Sequence, residues 1–138
     1  MAGLVVWTWA NTAVQAPELD RVRFINTLTM ISMGLTFACV VASEWQWRAL
    51  LRRPGPLAGK LQAAYIVRLA AREGAGLLGL TTAYLAAANG TLRAYPAYWV
   101  NLVPYALFLG FLAAHWPTAS RLAEEAGEVL GPKPVSPQ

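Results

Sequence analysis

The sequence predicts an all-α integral membrane protein with three transmembrane helices, a short N-terminal interfacial helix and a C-terminal amphipathic helix. Three observations predict it. Of 138 residues, 57% are hydrophobic and only 13% charged, roughly half the charge of an ordinary soluble domain and too little to coat a globule of this size. The run from Phe24 to Ser43, 20 residues, carries no formal charge and reaches about 30 Å as a helix, the thickness of a bilayer's apolar layer. Finally, tryptophans or tyrosines stand beside charged residues at the ends of the apolar runs, as amphipathic rings do at the headgroup layer. The length fits a single membrane domain spanning residues 1–138.

The chain begins with an apolar stretch, GLVVWTWANTAVQ, too short to cross a bilayer, which needs about 20 residues. Trp7 and Trp9 suit an interface, so residues 1–16 are expected to form an interfacial segment. The stretch lacks a positive leading region and a small-residue cleavage site, which argues against a signal peptide. Pro17, Glu18 and Asp20 then open a helix, since proline fits its first turn and acids complement its dipole. The first span is 24–43. Within it Thr29, Ser32, Thr36, Cys39 and Ser43 recur every three or four residues, a weakly polar stripe of the kind that packs helices against one another in lipid. Trp45, Trp47 and Arg48 mark its far interface, and Arg52-Arg53-Pro54-Gly55-Pro56 stops the helix because proline removes a donor and restricts the residue before it. Cys39 is the single cysteine, so it forms no internal disulfide and serves as a small packing residue.

The second helix is expected from Leu61 to Ala88, with 69–88 as the span. Its uncharged part, Gly74 to Ala88, is only 15 residues, about 22 Å. The turn holding Arg72 and Glu73 therefore belongs at the edge of the apolar layer or just inside it, with Arg68 reaching back toward the loop. Ala71, Ala75, Gly79, Ala83 and Ala87 fall at successive i+4 positions and form a groove for close helix packing. Residues 74–79 spell G-x-G-x-x-G, but no strand precedes them, so the dinucleotide fingerprint fails its structural condition. The third span, 97–116, contains Pro104 and is expected to kink there. Ala106, Gly110 and Ala114 supply another small-residue ladder. Residues 118–130 alternate apolar and acidic positions as an amphipathic helix, and 131–138 read as a flexible proline-rich tail.

Topology follows from the basic residues. Arg48, Arg52, Arg53, Lys60, Arg68, Arg72, Arg121 and Lys133 fall on one side, against Arg21, Arg23 and Arg93 on the other. The basic side is cytoplasmic. The expected location is the cell inner membrane, multi-pass, with the N-terminus outside and the C-terminus cytoplasmic.

Charges inside a span are costly and are functional candidates by default. Arg68, Arg72 and Glu73 are therefore the ion or lipid candidates, the arginines being expected to hold Glu73 in an ion pair or at a lipid headgroup. Glu44 is expected to pair with Arg48 one turn on. His115, the one histidine, cannot supply both axial ligands of a haem but suffices for a five-coordinate haem or a chlorophyll-type pigment.

The run IVRLAAREGAGLLGLTTAYL, residues 66–85, resembles the carboxylate helix of rotary ATP synthase subunit c. It is also similar to stretches of small uncharacterised bacterial polytopic membrane proteins. The subunit c resemblance implies a proton-binding carboxylate at Glu73. This chain differs in having a third span and no glycine ladder on its first.

No catalytic residues are expected, nor a metal site: there is no second histidine, cysteine pair or acid pair at workable spacing. The chain is expected not to be an enzyme and to hold no cofactor of its own, with pigment or haem entering through complex partners. Membrane lipids and other membrane subunits are the expected partners. Nucleic acid is excluded because the basic residues flank apolar runs instead of forming a stripe with aromatics. The function expected is that of an accessory or structural subunit of a larger membrane complex, energy-converting, photosynthetic or respiratory, packing through its Ala/Gly/Ser/Thr faces. The alternatives are ion or proton handling through Glu73 and pigment or haem binding through His115.

Overall fold

The structure, a computed structural model, describes residues 2–12, 17–116 and 118–130. They form six α-helices and one 3₁₀ segment, without a strand. These are α1 (Ala2–Asn11), α2 (Leu19–Leu51), α3 (Leu57–Ala88), α4 (Thr91–Ala94), the 3₁₀ segment Pro96–Leu102, α5 (Val103–Ala114) and α6 (Ala119–Leu130). Two stretches are long and apolar enough to cross a membrane, Leu19–Leu51 and the continuous run Pro96–Ala114. The tail 131–138 and residues 13–16 of the N-terminal segment lie outside the described residues.

α2 starts where Glu18 leaves extended backbone and ends at Leu51, just before the Arg52–Pro56 stop. The chain reverses there, with Gly55 at φ +130°, a conformation open to glycine alone at little cost. Lys60 ties the bend by donating through Nζ to the carbonyls of Leu51 (3.1 Å) and Arg53 (3.0 Å), groups the end of a helix leaves without partners. α3 then runs back along α2. At its far end Gly90 takes φ +72°, and α4 turns the chain into the 3₁₀ segment.

Pro104, expected inside a helix, lies in the first turn of α5. A proline there forfeits no intrahelical hydrogen bond. The residues before it wind as a tighter 3₁₀ helix, so the run changes helix type near Val103.

α3 is the centre of the assembly, with α1, α2, the 3₁₀ segment and α5 packed around it. One apolar cluster joins Val5, Ile25, Leu80, Ala83, Ala86, Ala87 and Leu92; another joins Trp47, Leu51, Ala64 and Tyr65, with Leu122 of α6 against it. The stripe on α2 faces α3: Thr29, Ser32, Thr36 and Ser43 are buried and Cys39 is half-buried. Large apolar side chains point the other way, Met30 at 70%, Phe37 at 74% and Trp45 at 71% exposure, while Ser32 and Asn101 inside are at 0%. The interior is thus the polar side of α2, the reverse of a water-soluble fold.

α1 lies against the far end of α3. Thr12 Oγ1 donates to the Ala87 carbonyl (3.2 Å), Arg93 Nη1 donates to the Thr12 carbonyl (2.7 Å), and the Trp9 and Trp99 rings meet edge to face. Val5, fully buried against α3, is the apolar anchor. Val5→Asp places a carboxylate in that contact, a cost that exceeds what so short a helix gains by docking. The amides of 2–11 are then expected to exchange rapidly by hydrogen–deuterium mass spectrometry while those of α3 stay protected. Unchanged protection of α1 would contradict the anchoring role.

Candidate functional site

The charged residues of the interior gather where α2, α3 and α5 meet. Glu44, near the end of α2, receives both arginines of α3. Arg68 donates through Nε to Oε1 (2.8 Å) and through Nη2 to Oε2 (3.0 Å), the forked geometry that guanidinium and carboxylate share. Arg72 donates through Nη2 to Glu44 Oε1 as well. Both arginines are largely buried and Glu44 is about a third exposed, so the carboxylate is the cluster's wet edge.

Rings hold the guanidiniums in place. The Arg68 Cζ lies 5.1 Å from the centre of the Trp47 ring and 5.0 Å from that of Phe111, and the Arg72 Cζ lies 3.9 Å from Phe111. A desolvated cation over an aromatic face contributes about 2 kcal/mol. Phe111 therefore carries two cations at once, and it also stacks on His115 at 4.6 Å. His115 is half-buried, its carbonyl accepts from the Tyr65 hydroxyl (2.9 Å), and its Nδ1 lies 3.3 Å from the Phe111 carbonyl. It helps close the end of α5 over the cluster.

This geometry redistributes the candidates. Arg68 and Arg72 meet, as their shared helix face allows, but on Glu44. Glu44 pairs with them and not with Arg48, which is exposed. Glu73 stands well round α3 from them, exposed and without an ion-pair or hydrogen-bond partner among the described residues. One position along a helix is about 100° around it, and the α2 seam claims the arc holding residues 68 and 72. Of the small-residue ladder, Ala75, Gly79, Ala83 and Ala87 are buried and Ala71 half-buried.

A second polar group escaped the sequence reading. Asn101, fully buried, donates to Thr29 Oγ1 (3.0 Å) and to the Tyr98 carbonyl (2.9 Å), while its Oδ1 and the nearby Ser32 Oγ have no partner among protein atoms. Arg72 Nε is likewise unpartnered, and Arg72 lines a void of about 10 Å³ with Thr36, Ala75 and Pro104, about the size of one water.

The bend at 52–56 was the signal for Glu44. A helical hairpin turning there lays the last turns of α2 along the first turns of α3, the stretch that holds Arg68 and Arg72. Glu44 meets Arg68 there, and Trp47 and Leu51 share a cluster with Ala64 and Tyr65. For Asn101 no such signal existed.

Chemically the cluster is a lock. It lacks a nucleophile with a base beside it, and no three His, Cys, Asp or Glu among the described residues are placed to hold a metal. No protein family, curated protein or solved structure matches this chain. The molecule's own geometry must carry the functional argument.

Proposed function

We propose that this chain is an accessory or structural subunit of a larger membrane complex, an energy-converting, respiratory or photosynthetic assembly of a bacterial inner membrane. It crosses three times, with the N-terminus outside and the C-terminus cytoplasmic. α3 supplies the third crossing: it packs between the two apolar runs, and its 32 residues exceed the length a bilayer requires. Its charged turn is tolerated because Arg68 and Arg72 are neutralised inward by Glu44, as intramembrane charges generally are.

One observation carries the reading. The groove of α3 is used within the chain, while two further ladders, Gly34-Ala38-Ala42 on α2 and Ala106-Gly110-Ala114 on α5, face outward. Small residues let helices approach closely in lipid, where no hydrophobic drive brings them together. A chain acting alone needs one such seam per helix pair, whereas this chain carries two more than it fills.

Purification in a gentle detergent through a cleavable C-terminal tag, followed by mass spectrometry and an absorbance spectrum, tests the proposal. Stoichiometric membrane subunits are expected to accompany the chain. A homo-oligomer without other subunits overturns the proposal. Visible absorbance lost on His115→Ala would turn attention to pigment or haem at that residue.

A further inference from the structure

We infer that the outward face of α3 around Glu73 is the docking surface for a transmembrane helix of a partner subunit, one that brings a lysine or arginine to Glu73. The inference rests on the accessory-subunit reading and adds the place and chemistry of the contact.

The outer arc of α3 runs through Ile66, Glu73, Gly74, Leu77, Thr81 and Tyr84, all exposed. At its far end it opens into a groove of about 240 Å³ between α1 and α3, beside Leu4, Thr81 and Tyr84. A helix laid along α3 covers the arc and ends in that groove. Gly74 allows a close approach beside Glu73, because a side chain placed there would meet nothing within 4 Å of its own chain.

Charge decides what the occupant must carry. The uncharged part of α3 beyond Glu73 covers only about 22 Å of an apolar layer about 30 Å thick. Glu73 consequently sits at the edge of the hydrocarbon, where an unpaired charge is expensive. The chain's nearest cations do not serve it: Arg68 and Arg72 bind Glu44 of α2. Lipid tails cover the rest of an apolar arc equally well but bring no cation to the carboxylate. A second copy docked by two-fold symmetry sets the same patch against itself, which brings the two Glu73 carboxylates together. A partner helix with one basic residue near its cytoplasmic end satisfies both the shape and the charge.

The test uses the full chain in its native membrane. A photo-crosslinking amino acid at Leu77 samples the proposed face, and one at Phe37, exposed on α2, is the control. The expected product at Leu77 is a crosslink to a partner helix carrying Lys or Arg at the level of Glu73. Glu73→Gln is expected to reduce that crosslink and the co-purified partner roughly tenfold, as loss of a polar contact of 1–2 kcal/mol in lipid implies. Glu73→Lys abolishes both, and changing the partner's basic residue to Glu restores them. Thermal unfolding of the Glu73 variants, expected to be unchanged because Glu73 is exposed and makes no hydrogen bond or ion pair among the described residues, separates lost docking from lost folding. Crosslinks to lipid alone, to a second copy, or to a partner that persists in Glu73→Lys overturn the inference. If partners co-purify but crosslink only from Phe37, the inference fails while the accessory reading stands. If nothing co-purifies with the unaltered chain, both fail, and ion flux lost in Glu73→Gln would then favour proton handling.

Discussion

Replacing Glu44 by alanine is expected to destabilise the protein by about 3 kcal/mol, because it leaves two arginines in the interior without their carboxylate. Breaking a buried pair costs roughly 3–5 kcal/mol, mostly as the penalty of the charge left behind. The low end applies because the Glu44 side chain is 35% exposed and water screens part of the interaction. The pair's own net contribution is a separate quantity. Desolvating three ionised groups is itself expensive, so changing Glu44, Arg68 and Arg72 together to leucine is expected to recover most of the loss. Thermal unfolding in detergent, followed by circular dichroism, compares the variants. A triple variant less stable than Glu44→Ala would show that the charges contribute more than mutual neutralisation, for instance through Trp47 and Phe111.

The second large effect is expected at Gly79. A Cβ there would lie 2.6 Å from the Asn101 carbonyl oxygen and 3.0 Å from Pro104 Cγ. The first is a backbone atom and the second belongs to a rigid ring, so neither can give way cheaply. Gly79→Ala is expected to cost about 1–3 kcal/mol, the range for overfilling a packed interior, by forcing the 3₁₀ segment away from α3. Gly74→Ala is the matched control. It lies on the same helix with nothing within 4 Å, and alanine is the better helix former by up to about 1 kcal/mol. Equal melting temperatures for the two variants would contradict the close approach of α3 to the 3₁₀ segment.

These two residues also mark how far the sequence could be read. The i+4 ladder through Gly79 was legible, because helix periodicity alone aligns small residues on one face, and the hydroxyl stripe of α2 was legible for the same reason. What Gly79 packs against was not. Its neighbour Asn101 comes from a 3₁₀ segment 22 positions further along the chain. Glu44 shows the same limit. Local spacing offers Arg48 one turn away, whereas the actual partners lie 24 and 28 positions along the chain. They are chosen by the rotation of two helices about their shared seam. Spacing within α3 kept Arg68 and Arg72 together and set Glu73 apart, but nothing local indicated which side would face inward. The placement of the two most apolar runs needed only composition.

The attachment of α1 has a consequence for synthesis. Its two hydrogen-bonding ties join residues 75 and 81 positions apart, and Val5 rests on α3 residues made as late as Ala87. Made before α3, α1 therefore has no place to bind on this chain until the second half of α3 and the turn after it have emerged. During that interval its exposed Leu4, Val6 and Trp7 can rest only on the membrane surface or on an insertion factor. α1 is made before α2 and α3 but seated after them. Its docking reports that α2, α3 and the turn beyond them have already been assembled.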